Sequence, residues 1–423
     1  MIYSPKLKFK SWLFMIMAMA MPLQFYRVGF LGLNWSIDRF ILVLLLPTIF
    51  LYFYVSNFKI KPYAYIVLMW ICIIIFNMLL FHKAIGSVMY KEIQGYFLSS
   101  FVLLLSVTVM RHKLRMISSR IFLTHAILII YFGFYSIYHL WILNDIAFFP
   151  PFLSEATWLN SGNEHMKSLM AYKRLTFPFG TSPLLSFVSG FLILFGLNKI
   201  YKRSEKIWYY LLPCLIIISL GTFSRSGLLS LVISIVSIAI YNRNKSRRFN
   251  SKPIYILLLF IFIILPLSIA SISQLIDIPL LMRVTEFDTL SENSSFAGHL
   301  NVRLKILKEI FFSNPVNIFF GYGIGGTDKY LNVSSGHMSF VTVLYDLGIV
   351  GLAFFSLLWF YPLFILFKEN WNKHNPEILF IFSFSVFIIF SHMFYDATTF
   401  VPLWFYLGWV VNKVFEMQKH RIA

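Results

Sequence analysis

Charge is what this sequence has least of: 13% of its 423 residues are Asp, Glu, Lys or Arg, where soluble domains carry about 25%. Acidic residues are the scarcer half, 17 against 36 Lys and Arg. They are scattered, so they assemble no metal constellation. Cysteine is nearly absent. Cys72 and Cys214 both lie inside apolar blocks, which points to neither a disulfide framework nor a zinc site. Internal repeats are missing too.

Apolar residues dominate instead. They make up 59% of the chain, and the mean hydropathy is +0.75. One soluble core cannot hide so much. Windowed hydropathy places apolar blocks at roughly 11–30, 38–56, 64–81, 93–110, 119–142, 183–198, 207–223, 226–241, 253–274, 346–367, 377–393 and 399–415. A block of about 20 residues crosses ~30 Å of hydrocarbon. The 48 Phe, with Tyr and Trp near block ends, suit an interfacial aromatic belt. The expected fold is an all-α polytopic membrane protein of about twelve transmembrane helices, one integral domain over 1–423. The segment Lys6 to Met21 resembles a signal peptide but has no clear small-residue cleavage site. It is read as a retained first helix.

The net charge of +19 does not mark a nucleic-acid partner, because the basic residues form no face or stripe. They cluster between apolar blocks, as cytoplasmic loops do. With the N-terminus inside, alternation puts every strong cluster on one side. These are Lys59 and Lys61; Arg111, Lys113, Arg115 and Arg120; Lys199, Lys202, Arg203 and Lys206; Arg243 to Lys252; Lys368 and Lys373; and Lys419 and Arg421. Both termini are therefore expected in the cytoplasm.

Two outside segments are long: 144–182, and 273–345 between the ninth and tenth spans. Within the second, Leu300, Leu304, Leu307 and Phe311 make one helical stripe. This suits a short helix lying on the membrane or packed on the bundle. Positive charge is rare on the outer side. Arg225 stands out, in Gly221-Thr222-Phe223-Ser224-Arg225-Ser226-Gly227, a tight turn between two spans. Its guanidinium offers a planar fork matched to phosphate oxygens. The plainer reading is an arginine snorkelling to lipid headgroups. Arg283 and Arg303 in the long outer loop read, by themselves, as solvated charges. Arg174 lies among aromatics suited to a sugar or a lipid. His337, in Ser334-Ser335-Gly336-His337-Met338-Ser339, can take a proton from a hydroxyl or simply hydrogen-bond at the interface. Gly321-Tyr322-Gly323-Ile324-Gly325-Gly326 lacks the Lys-Ser or Lys-Thr of a phosphate loop. It reads as a bend that lets backbone approach a ligand closely.

Three features share an order: Ser224-Arg225-Ser226-Gly227 between two late spans, Gly321-Tyr322-Gly323 after Asn314-Pro315, and His337 followed by Tyr345-Asp346-Leu347-Gly348. This order resembles the O-antigen ligase-like superfamily, which includes the O-antigen and capsule polymerases and the O-antigen ligases. The resemblance covers roughly the second half of the chain. Met338 stands where members often carry Asn. The resemblance implies glycosyl transfer at the outer face of the cytoplasmic membrane, from an undecaprenyl-diphosphate-linked glycan donor to an acceptor glycan. It implies no metal and no other cofactor. Arg225, Arg303 and Arg283 would hold the donor diphosphate and His337 would be the base. Arg174, Tyr322 and Asp346 would lie near the glycan. A chain-length regulator and a flippase of the same pathway would be partners.

The leading expectation is a repeat-unit polymerase. Its nearest rival is a ligase moving finished polymer to lipid A core. A rival of another class is a lipid-linked oligosaccharide flippase, for which internal repeats and midplane charges are expected.

Overall fold

The structure is a computed structural model. It describes residues 15–16, 18–19, 21–23, 27–30, 33–36, 62–81, 87–109, 114–143, 175–176, 178–179, 181–222, 224–243, 304–326, 338–368 and 376–422. The expected spans at 38–56 and 253–274 lie outside these residues, as does most of both long outer segments.

Ten helices carry the labels used below. They are α1 Pro62–Leu80, α2 Ser87–Val109, α3 Leu114–Ile137, α4 Ser182–Tyr201, α5 Trp208–Gly221, α6 Arg225–Arg243, α7 Pro315–Phe320, α8 Ser339–Lys368, α9 Pro376–Phe394 and α10 Val401–Ile422. Each of the expected spans from 64–81 through 226–241, and from 346–367 onward, coincides with one of them. Among the described residues four stretches are long and apolar enough to cross a membrane: Pro62–Leu80, Ser119–Leu143, Ser182–Tyr201 and Ser339–Lys368. The chain is a membrane-embedded helical protein.

One expectation is corrected. The block at 11–30 does not end as a helix, because Arg27–Phe30 (β1) pairs antiparallel with Leu33–Ser36 (β2). Val28 pairs with Trp35 and Phe30 with Leu33, while Arg27 pairs with Ser36 and Gly29 with Asn34. Apolar pairs thus alternate with polar or glycine pairs, a two-residue period that a long hydropathy window averages away.

Neighbouring contacts fix the helix directions. Phe191 of α4 meets Phe384 of α9 with ring centroids 4.8 Å apart, and Lys202 meets Glu377 at 3.0 Å. Those two helices are antiparallel. Ser186 packs on Gly227 and Leu231 on Gly190, so α4 and α6 run in parallel. Trp70 of α1 packs on Phe355 of α8 at 5.7 Å, and the Tyr63 hydroxyl donates to Leu358 O at 3.1 Å. Hence α2, α4, α6, α8 and α10 point one way and α1, α3, α5 and α9 the other.

The core between them is aromatic. Phe122, Phe191, Phe195, Phe384, Tyr406 and Trp409 stack around one another, with the Phe191 and Tyr406 rings 4.0 Å apart at 9°. In lipid, helices gain nothing from hiding apolar surface, so such close packing and interhelical hydrogen bonds hold the bundle. The Asn412 amide donates to Ser106 O at 2.7 Å, and the Ser383 hydroxyl donates to Ser234 O at 3.0 Å.

The bundle thus has two ends. At one, α4 ends, α5 and α9 begin, and α10 closes. Lys199 pairs with Glu205 at 2.5 Å, Lys202 and Lys413 with Glu377 at 3.0 and 3.8 Å, and Lys413 with Glu416 at 2.6 Å. The Lys199, Lys202, Arg203 and Lys206 cluster of the sequence lies here. At the other end α6, α8 and α10 begin and α9 finishes.

Candidate functional site

The Ser-Arg-Ser-Gly turn is the start of α6. Ser224 caps it: its hydroxyl accepts the Gly227 N–H at 3.2 Å, and its carbonyl accepts the Leu228 N–H at 3.0 Å. Thr222 Oγ1 in turn accepts the Ser224 N–H at 3.2 Å. Arg225 is therefore the first helical residue, where the backbone dipole favours an anion. Gly227 lies against Ser186 so closely that a methyl group there would overlap its side chain. Phe187, the next residue of α4, meets Tyr395 with ring centroids 6.2 Å apart. The start of α6 and the connection between α9 and α10 therefore share one end of the bundle.

Gly321-Tyr322-Gly323 and Asp346-Leu347-Gly348 form a single joint. The Tyr322 N–H donates to Tyr345 O at 2.8 Å and the Gly323 N–H to Asp346 O at 3.0 Å. Gly321 sits at φ 78, ψ −163 and Gly348 at φ 66, ψ −167, backbone that only glycine holds without strain. A side chain on Gly321 would strike the Asp346 carbonyl, and one on Gly348 the Phe319 carbonyl. The backbone thus approaches another stretch of backbone, where the sequence suggested a ligand. Gly348 also breaks α8 into a short first segment and a longer one that follows.

Asn77 of α1 stitches the joint. Its amide donates to Phe320 O at 2.8 Å and Asp346 O at 3.3 Å, and its Oδ1 accepts the Ile324 N–H at 3.1 Å. Asp346 is buried, and its Oδ2 accepts the Gly325 N–H at 2.9 Å. Tyr322 stacks on Tyr345 with centroids 4.6 Å apart at 15°. Of the residues expected near a glycan, Asp346 holds the turn and Tyr322 lies half-buried beside it.

A third group closes this end. Ser339, two residues after His337, opens α8 and is fully buried. Its hydroxyl lies 2.7 Å from His392 Nδ1 and accepts the Ala397 N–H at 2.8 Å. The Thr342 hydroxyl donates to Asp396 Oδ2 at 2.7 Å, and Thr398 gives Asp396 Oδ1 its N–H at 3.1 Å and its hydroxyl at 2.8 Å. His392 packs on the Trp359 ring at 3.9 Å, and its Nε2 is buried with no hydrogen-bond partner among the described residues. Burial pushes the Asp396 carboxyl above its usual range, and hydrogen bonds from Thr342, Thr398 and Ser339 pull it part of the way back. Burial likewise raises the Tyr395 phenol.

Asn77, His392 and Asp396 were not among the residues the sequence singled out. A signal was there: Asn77 interrupts an apolar run, and His392 and Asp396 stand four apart at the end of another. Intramembrane polar residues warrant that attention. Arg174, Arg283, Arg303 and His337 lie outside the described residues. Arg174 immediately precedes Leu175, whose N–H donates to Gly221 O at 3.0 Å beside the Arg225 turn. Arg303 immediately precedes the helix at 304–311.

No protein-family model matches this sequence, and no curated relative does.

Proposed function

We propose that this chain is a polymerase of undecaprenyl-diphosphate-linked oligosaccharide repeat units, working at the outer face of the cytoplasmic membrane with both termini inside. One observation carries the reading. The Gly321 motif and Asp346-Leu347-Gly348, far apart in sequence, form one joint, and the Arg225 turn begins a helix at that same end of the bundle, opposite the ion-paired basic cluster. Helix directions agree with the alternation inferred from charge, under which that end faces outward.

The chemistry needs little. The acceptor hydroxyl oxygen bonds to the donor's anomeric carbon as the bond from that carbon to the diphosphate breaks. His337 takes the hydroxyl proton. Arg225, Arg303 and Arg283 hold the departing diphosphate, whose charge rises in the transition state, and the dipole of α6 acts with Arg225. A single displacement of this kind inverts the anomeric centre. Ser339 and its bonds to His392, Tyr395 and Ala397 fix where the His337 segment enters the bundle. Tyr322 and the segment at Arg174 flank the glycan, and a chain-length regulator and flippase act alongside.

Arg225→Lys keeps the charge and loses the fork. It is expected to lower polymer formation roughly 30- to 1000-fold, or about 2–4 kcal/mol, with protein levels unchanged. Surface glycan on a gel reads the outcome. A ladder collapsed to a single repeat supports a polymerase. Loss of all attached glycan favours the ligase, and a normal ladder returns Arg225 to lipid anchoring.

A further inference from the structure

The sequence left two alternatives for the amphipathic stretch in the second outer segment: lying on the membrane, or packed on the bundle. The helix at 304–311 packs on the bundle with one face and leaves another exposed, and α7 continues from it. Ile306 and Ile310 are buried against Tyr345, with Tyr322 packed alongside. The Tyr345 hydroxyl donates to Glu309 Oε2 at 3.1 Å, and the Tyr322 hydroxyl donates to Glu309 O at 3.3 Å. The inner face is thus fully engaged with the joint at Gly321.

The opposite face is exposed and mixed, large apolar side chains with Lys305 and Lys308 among them. Phe312 is 88% exposed and Phe311 65%, and Leu304, Val316 and Phe319 are each about half exposed. Water does not favour such a row of large side chains, and contiguous patches of this kind mark an interaction surface. Two features say what covers it. The first is continuity. Phe320 packs on Phe76 with ring centroids 5.2 Å apart, and Phe76 belongs to α1, a stretch long and apolar enough to span. The exposed end of α1, Phe76 and Leu79, faces lipid if α1 spans, and the patch lies beside that surface. The second is charge. Lys305 and Lys308 are exposed on the same helix as Leu304 and Phe311. This arrangement lets apolar rings enter the acyl boundary while ammonium groups stay among anionic headgroups.

We propose that residues 304–320 are a membrane-interface element, seated in the headgroup and acyl boundary at this end of the bundle by Leu304, Phe311, Phe312, Val316 and Phe319. Its occupant is the bilayer surface, preferably one with anionic lipid. The proposal needs only a membrane-embedded chain and stands whether or not the polymerase reading does. Functionally, the element fixes the depth of the Gly321 joint relative to the bilayer.

The test uses the full chain with Cys72 and Cys214 replaced by Ser, reconstituted into vesicles of phosphatidylethanolamine and phosphatidylglycerol. Spin labels are placed singly through Phe312→Cys and Val316→Cys, and collisions with oxygen and with a water-soluble nickel chelate are measured. Labels at 312 and 316 are expected about 5–10 Å below the headgroups, reached by oxygen and not by nickel. Replacing phosphatidylglycerol with phosphatidylcholine should move the 312 label outward. Labels at 312 and 316 open to nickel would overturn the proposal in favour of a water-exposed loop. Labels shielded from both reagents would overturn it in favour of a second copy or another protein. Because Phe312 and Val316 are both exposed, failure of one variant to fold leaves the other to decide.

Discussion

The two ends of this bundle are held by different physics. The basic end uses charges on long side chains, several of which solvent still reaches: Lys202 is 29% exposed and Glu377 33%, against 11% for Lys413. Such pairs tolerate adjustment, because water and salt share their charge. The other end uses short side chains, buried hydrogen bonds and glycine backbone. Ser339, His392 and Thr398 are buried, and the joint between Gly321 and Gly348 has no room for a methyl group. Geometry there is over-determined, as the proposed transferase site would require. A loose end suits an anchor and a rigid end suits chemistry.

Four substitutions or titrations strain this contrast, in falling order of effect. Gly348→Ala combines backbone strain with collision against Phe319, and is expected to cost on the order of 4 kcal/mol. Thermal unfolding in detergent should show it, and a variant that melts like the parent would mean the joint is not rigid. His392→Ala opens a gap beside Trp359 and leaves the Ser339 hydroxyl one partner short. About 2–3 kcal/mol should go, while His392→Gln, which can still reach Ser339, recovers part. At the basic end Glu377→Gln loses two charge pairs and keeps hydrogen-bonding capacity. Solvent screening limits the loss to about 0.5–1 kcal/mol, shrinking further in high salt. Should Glu377→Gln prove more damaging than His392→Ala, the contrast is reversed.

The smallest effect is a pH dependence of opposite sign at the two ends. Burial alone would raise the Glu205 carboxyl, but hydrogen bonds from Lys199, Ser119 and Trp208, and the charge of Lys199, outweigh it and hold the group below its usual value. Its stabilising contribution is present above the unfolded value of about 4.3 and is lost as pH falls through the lower folded value. Asp396 is raised. Stability therefore falls as pH rises from about 3.9 through its folded value, and the deficit persists above it. Acid should weaken the basic end and relieve the other. Glu205→Gln should flatten the first trend in melting curves across pH and Asp396→Asn the second. In the latter variant the new amide can donate to Thr342, whose hydroxyl turns to accept.

Much of the scaffold was legible from composition, because a spanning helix is specified by length and hydropathy alone. Arg225 was legible too: a charge between two closely spaced apolar blocks has nowhere to be but an end. The hairpin at Arg27 was hidden by its short period. The joint was hidden for another reason. Gly321 and Gly348 each look like an ordinary turn, and only the fold shows that each makes room for the other's strand of backbone. Asn77, His392 and Asp396 take their meaning from partners far away in the chain, which no local pattern reports.

That distance has a consequence for how the protein is made. Asn77 donates to Phe320 O across 243 positions of chain. At synthesis rates of about 5–20 residues per second, α1 waits ~12–50 s in the membrane before that partner exists. Until then an unsatisfied amide sits in or near hydrocarbon. Until the Gly321 segment is translated, that amide must bond elsewhere, to interfacial water or to the insertion machinery. Chains stalled before residue 320 should crosslink from position 77 to the insertion machinery, and completed, released chains should not.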